Sequence, residues 1–320
     1  MSVNALVTGG SGFVAQWAIR AMLARGWVVT AATHGPPPNP ELLTPAERDR
    51  VQWRTMDITN QSDIRSALAS ARADVVLHLA AVSHVPDATN NPAYAYEVNA
   101  VGSVRLLTEV RRQRDAAVSD PRVLIVGSAE QYGRQEINAM PIHEMADQRP
   151  LTLYAASKVA QEVAALQAFR SDGVRVVCTR SFNHSGVGHP AHFLLPGMVA
   201  RALALPAEGG TLTIGNGDTV RDFLHVTDAV EAYLALLETG AVGEAYNVSS
   251  GEGVSVRALA ARVLERVGRR ADVVSESSLA RAIDVPIQVG SNQKLRRATG
   301  WAPVRTRDDI IDDLIHATTH

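Results

Sequence analysis

The chain has 320 residues, with 31 Lys+Arg against 33 Asp+Glu for a net charge of −2, and 46% of its residues are hydrophobic. Near-neutral charge excludes the footprint of a general nucleic-acid binder and of a polybasic membrane patch, and a lone Cys178 excludes an internal disulfide or a cysteine-based zinc site. No run reaches the ~18 apolar residues of a membrane span, and the start MSVNALVTGGSGF lacks the features of a secretory leader, so a cytoplasmic protein is expected, with no membrane or nucleic-acid partner.

Short, almost wholly apolar runs recur at 5–7, 28–30, 75–77, 123–126 and 174–177. Such runs suit parallel strands buried on both faces. Helical spacing fills the gaps, best at 13–24, 61–71, about 95–114 and 154–170. The alternation predicts an α/β fold, a Rossmann-like doubly wound parallel sheet. Pro36 to Pro40 reads as a stiff surface loop. Beyond residue 183 the pattern changes. Residues 184–222 are rich in Gly, His and Pro, and helices at 226–239 and 255–267 and a strand at 246–248 follow. The expected division is a dinucleotide-binding domain of 1–182 plus about 223–244, and a smaller α/β substrate-binding domain of about 183–222 plus 245–320.

The first strand runs into Thr8-Gly9-Gly10-Ser11-Gly12-Phe13-Val14-Ala15, which opens a helix. Gly9 permits the tight bend, Gly12 lets the backbone approach a pyrophosphate, and small Ala15 lets helix and strand pack closely. Free N–H groups at the helix start bind the anion. Gly9, Ser11, Gly12, Phe13 and Val14 are therefore candidate cofactor contacts. The end of the second strand, 30–35, carries neither an acid nor an arginine. Nothing there repels a 2′-phosphate, and His34 either faces one or is a solvent-facing loop histidine. NADP(H) is preferred and NAD(H) is possible. Asp57 and Ile58, after the third strand, are candidates for the adenine.

Tyr154 and Lys158 stand four apart, on one face of a helix. Ser128 ends a buried strand, where the sites of doubly wound folds gather. A strand-end hydroxyl with a Tyr/Lys helix makes a proton-transfer set. Lys158 is expected to lower the Tyr154 pKa and hold the nicotinamide ribose, Ser128 to hydrogen-bond the reacting oxygen, and Tyr154 to exchange the proton.

With TGGSGFVA, HLAAVSHV (78–85), Asn99 in VNAVGS, GSAEQYG, YAASK, RSFNHSGVG (180–188), RDFLHVTD (221–228) and TGW (299–301) in this order, the chain resembles the extended short-chain dehydrogenase/reductase family over essentially its whole length. The resemblance implies that Leu79, Ala80 and Ala81 line the cofactor, with Phe182 and His184 near it, and that Asn99 supports the catalytic helix and water chain and is itself a candidate cofactor contact. It implies a nucleotide-diphosphate sugar as substrate, met by Ser83, Glu130, Asn183, Arg221 and Arg281, the two arginines being forks suited to a diphosphate. Within the family the residues 141–144, 180–188, 221–223, 284–286 and 294–301 are most similar to reductases of GDP-4-keto-6-deoxy-D-mannose, which use NAD(P)H to make GDP-D-rhamnose; Val187 stands where those reductases carry proline. The alternatives are a 4,6-dehydratase of the GDP-mannose type, with Glu130 as the acid/base two residues after Ser128, another 4-ketoreductase or epimerase, and a cofactor-binding sensor without catalysis. The family implies a homodimer, with Leu106, Leu107, Val110, Val159, Val163 and Leu166 as candidate apolar surface or core. The histidines at 143, 184, 189, 192 and 225 match no metal-ligand spacing, and no metal is expected.

Overall fold

The computed structural model describes residues 2–35, 42–276, 279 and 284–319. The five apolar runs become strands, and Gln52–Thr55 adds a sixth: β1 (Asn4–Thr8), β2 (Val28–Thr33), β3 (Gln52–Thr55), β4 (Val75–His78), β5 (Arg122–Ser128) and β6 (Val176–Ser181). The later strands are β7 (Asn183–Ser185), β8 (Gly210–Ile214), β9 (Val220–His225), β10 (Ala245–Val248), β11 (Gly253–Ser255), β12 (Ala271–Ser275) and β13 (Ile287–Gln288). A seven-stranded sheet runs β10-β6-β5-β4-β1-β2-β3, every pairing parallel. Its central strands β4 and β6 are buried throughout, whereas β3 at the edge is largely exposed, as layers of helix on both faces require. The order reverses between β1 and β4, the switch point outside which ligands of such sheets bind.

Helices Phe13–Ala24 and Val226–Thr239 bury Ile19, Met22, Tyr233 and Leu236 against one face. Helices Gln61–Ala71, Gly102–Asp115 and Leu153–Asp172 bury Ile64, Leu106, Val110 and Ala165 against the other. A third core lies beyond the carboxyl ends of the large sheet, where helices Leu194–Leu203, Val256–Val267 and Arg307–Thr319 close over β8 and β9. There β9 pairs in parallel with β7 and β13 and antiparallel with β11, and β8 pairs with β12.

The two parts interleave more finely than the expected boundaries. β10 starts at Ala245, assigned to the smaller part, yet it extends the large sheet in register with β6, Ala245 opposite Cys178 and Val248 opposite Ser181. Its four residues are all buried, so they gain most as a sheet edge covered by helix. Leu295 and Trp301, from the tail, also pack in the first core. Conversely β9 crosses the expected junction at 222/223 as one strand. Among the described residues no helix is long and apolar enough to cross a membrane. Pro36 to Pro40 and Arg281 lie outside the described residues.

Candidate active site

Gly9 adopts φ +68°, and a Cβ there would lie 2.8 Å from the Ala80 nitrogen. Only glycine lets the turn lie this close to the loop after β4. The Gly12 N–H closes the bend on the Gly9 carbonyl at 2.9 Å. Helix Phe13–Ala24 then starts without a side-chain cap, so its leading N–H groups remain available to an anion. Ala15 is buried against the strand. Ser11 is exposed at the rim, and Phe13 and Val14 are half-buried. These features form a cradle into which a dinucleotide pyrophosphate fits.

The loop after β4 is pinned to this turn. The Thr8 hydroxyl accepts the N–H groups of Leu79 and Ala80 at 3.2 and 3.1 Å, and meets His78 Nδ1 at 2.7 Å. His78 Nε2 reaches Ser103 Oγ at 2.9 Å, and Gln161 joins Ser103 at 2.8 Å. Burial, with a contribution from Lys158, pushes His78 down to about 3, so it is a neutral hydrogen-bonding link. Ala81 follows half-buried, and Ser83 is exposed.

At the adenosine end His34 is exposed and lies 3.5 Å from Asp57. The Asp57 carboxylate is held below its usual range by the Thr59 backbone N–H, with His34 adding to the effect. His34 therefore faces a carboxylate as well as solvent. Ile58 is buried and touches the position where Gly102 lacks a side chain.

Asn99 lies in a π-helical turn, Glu97–Val101, that opens the long helix. It is fully buried. Its amide accepts the Val82 N–H at 2.8 Å and donates to the Val82 carbonyl and to Ser157 at 3.1 and 2.9 Å. The amide is thus committed to protein groups, and Asn99 ties the loop 79–83 to the helix of Tyr154.

Ser128 ends β5 opposite Ser181. Its hydroxyl accepts the Glu130 N–H at 3.2 Å and stands near enough to the Tyr154 phenol to lower its pKa. Tyr154 sits in the first turn of helix Leu153–Asp172, which Thr152 caps by accepting the Ala155 N–H at 3.1 Å. Burial drives the Tyr154 phenol up to about 12; Ser128 pulls it down and Glu130 pushes it up. The expected depression by Lys158 is absent here. The ammonium donates instead to the Val126 carbonyl and to Gln161 Oε1, both at 2.7 Å. Burial pushes Lys158 down to about 7.

Facing this group, Glu130, Thr152, Arg221, Asp284 and Gln288 line a small cavity. Arg221 Nη2 meets Asp284 at 2.5 Å, so much of its charge is already balanced. Neighbouring Asp222 is buried and accepts from Ser250, Gly251 and Gly290, which locks the strand carrying Arg221. Asn183 is exposed on β7. The Phe182 ring packs in a buried cluster with Ala129, Tyr132 and Ile142. His184 bonds the Phe182 carbonyl at 3.0 Å, and burial lowers its pKa.

Several neighbours of the site were given no place in it by the sequence. His189 stacks on Phe13 at 4.7 Å and on Phe193 at 4.4 Å, which lays the segment after β7 across the glycine turn. Gln131, Glu162 and Arg180 form a buried cluster behind Ser128. The legible sign of Glu162 was an acid one turn beyond Lys158. No group of three or more metal-binding side chains occurs among the described residues.

The family model described as GDP-mannose 4,6 dehydratase matches residues 6–314. A GDP-6-deoxy-D-mannose reductase of Pseudomonas aeruginosa is 30% identical, over 95% of this chain and 93% of that protein. A GDP-6-deoxy-D-talose 4-dehydrogenase of Aggregatibacter actinomycetemcomitans is 32% identical, over 92% and 90%. Among solved structures, that of RMD from Pseudomonas aeruginosa complexed with NADPH superposes with a TM-score of 0.80 at 27% identity, over 99% of this chain and all of that one.

Proposed function

The chain belongs to the GDP-mannose 4,6-dehydratase family of extended short-chain dehydrogenases/reductases, and from that premise we propose that it reduces the C4 carbonyl of a nucleotide-diphosphate 4-keto-6-deoxyhexose with NAD(P)H. The substrate proposed is GDP-4-keto-6-deoxy-D-mannose, giving GDP-D-rhamnose. One observation carries the reading: Tyr154, buried at the carboxyl end of β5, stands beside Ser128, whose hydroxyl lowers its pKa, while Lys158 stands one helical turn behind it.

The turn at Gly9 and Gly12 and the open helix start would hold the pyrophosphate, and Leu79 to Ala81 the nicotinamide side. When bound, the reduced nicotinamide supplies the hydride. Tyr154 donates its proton to the oxygen left at C4, and Ser128 holds that oxygen through its hydroxyl. A phenol kept near 12 stays protonated at neutral pH, as a proton donor must. Lys158, released from Val126 or Gln161, lends positive charge beside Tyr154. Arg221 would take the diphosphate in exchange for Asp284. Arg281 and Asn183 are proposed to join it. We favour NADP(H) over NAD(H) because the end of β2 itself carries no acid and His34 stands exposed there, beside Asp57.

Glu130 supports a second reading, 4,6-dehydration, because it lines the same cavity two residues after Ser128. The assay that separates the two supplies GDP-4-keto-6-deoxy-D-mannose with NADPH in one arm, and GDP-mannose with no added reductant in the other. Oxidation of NADPH in the first arm alone is the expected result. Formation of the 4-keto-6-deoxy sugar in the second overturns the reductase reading.

We further propose a cytoplasmic homodimer that pairs the exposed faces of helices Gly102–Asp115 and Leu153–Asp172. Val104 and Val163 are 45% and 60% exposed. Leu106, Leu107 and Val110, also candidates for that surface, are buried in the core instead, because their side of the helix faces the sheet.

A further inference from the structure

We propose that Gln131, Glu162 and Arg180 are positioning residues, a buried assembly that holds Ser128 against Tyr154, with the Glu162–Arg180 ion pair acting on the site through Gln131. Gln131 touches Ser128 directly: its Oε1 accepts the Ser128 N–H at 2.8 Å. Its Nε2 donates to Glu162 Oε2 at 2.8 Å. A carboxylate only accepts, so Glu162 dictates which way the Gln131 amide points. Rotated the other way, Gln131 would set its oxygen against Glu162 and its NH₂ group against the Ser128 N–H.

Glu162 is itself fixed from the far side. Arg180 forks onto it at 2.6 and 2.9 Å, and Gln148 donates to it at 2.6 Å. The remaining Arg180 nitrogen donates to the Tyr132 hydroxyl at 3.0 Å and the Glu144 carbonyl at 2.9 Å. Burial alone would disfavour the Arg180 charge, but the Glu162 fork together with Tyr132 more than offsets it. Gly127 leaves the room: a Cβ there would lie 2.4 Å from Gln131 Oε1. Gln131, Glu162 and Arg180 are 0%, 3% and 6% exposed.

A buried ion pair is weak evidence for stability, because desolvation consumes most of its attraction. Here its placement has a geometric consequence. Tyr154, Lys158 and Glu162 share one stripe of one helix, at successive turns. Tyr154 reaches the end of β5 through Ser128, Lys158 reaches it through Val126, and Glu162 reaches it through Gln131. The third tie stops the helix from turning or sliding relative to the strand, so the Ser128–Tyr154 contact keeps its distance before substrate arrives.

The kinetic part of the test rests on the reductase reading, and the spectroscopic part needs no substrate. In the full-length protein, Gln131→Met removes both amide bonds without adding charge, and Glu162→Gln removes the charge that orients Gln131. In both, the Ser128 amide is expected to exchange hydrogen about tenfold faster while exchange in β1 and β4 is unchanged. The ¹³Cζ resonance of Tyr154 is expected to shift as Ser128 moves from beside it. With the keto-sugar nucleotide and NADPH, kcat is expected to fall at least roughly tenfold with both KM values within about threefold. Gln148→Met, which loses its bond to Glu162 and the longer 3.4 Å one it accepts from Gln131 but leaves the Glu162–Gln131–Ser128 bonds in place, is the control and should keep kcat. Wild-type exchange and Tyr154 resonance in Gln131→Met overturn the proposal, as does an equal loss in Gln148→Met. If Glu162→Gln does not fold, the uncharged Gln131→Met decides alone. A wild-type protein that turns over no keto-sugar nucleotide removes the reductase reading, and the exchange and resonance measurements still decide the positioning role.

Discussion

The Lys158 ammonium donates to the Val126 carbonyl at 2.7 Å, two residues before Ser128 on the same strand. The helix of Tyr154 is therefore tied to β5 at Val126 and meets it again at Ser128, and Lys158 is held there rather than against Tyr154. The Gln161 amide takes a second proton of the same ammonium and continues through Ser103 and His78 to Thr8. The lysine and the glycine turn are thus two ends of one buried polar chain. Each member restricts the next, because buried polar groups without partners are costly.

Tyr154→Phe removes the proposed proton donor and leaves the aromatic packing. Turnover is expected to fall roughly 10²- to 10⁴-fold, with NADPH affinity nearly unchanged in a fluorescence titration. Near-normal turnover would refute the assignment.

Burial pushes Lys158 down to about 7 from its ordinary 10.5. Between those values the unfolded chain holds a proton that the folded chain has released. Stability from this residue is therefore complete above pH ~10.5 and is lost as pH falls toward about 7. Urea melts of wild type and Lys158→Met across pH 6.5 to 10 check this. The wild type should gain on the variant as pH rises; a difference independent of pH would contradict it.

Gly9→Ala places a Cβ 2.8 Å from the Ala80 nitrogen at a φ of +68°. The left-handed conformation alone costs about 1–2 kcal/mol, and displacement of the turn removes N–H groups from the pyrophosphate. Calorimetry is expected to give NADPH binding weakened by about tenfold or more, about 1.4 kcal/mol. Unchanged affinity would remove the turn from the cofactor site.

Val163→Glu inserts charge into the face proposed to meet a second copy. Val163 is 60% exposed in the single chain, so the fold should tolerate it. Sedimentation is expected to show a dimer for wild type and a monomer for the variant. A wild-type monomer at micromolar concentration ends the homodimer proposal.

Local sequence already determined much of this protein. Apolar runs bounded by turns make buried parallel strands wherever they fall in a chain of this size, and Gly9-x-x-Gly12-x-x-Ala15 after the first of them makes an open helix start. The fourfold spacing of Tyr154 and Lys158 puts them on one helical face, and a hydroxyl at the end of an apolar strand lands at the edge of the sheet. Each follows from backbone geometry within a few residues. The tertiary structure decided what depends on distant neighbours. β10 joined the large sheet because its buried residues found β6, across more than sixty residues of intervening chain. Lys158 turned to Val126 and Gln161, Arg221 turned to Asp284, and His189 came to rest on Phe13. Gln131, Glu162 and Arg180 come from three separate elements and meet only when helix Leu153–Asp172 packs on β5 and β6. A charge's partner, and hence its pKa and orientation, is set by burial and by which groups packing brings within hydrogen-bond reach, and neither quantity is written in local spacing.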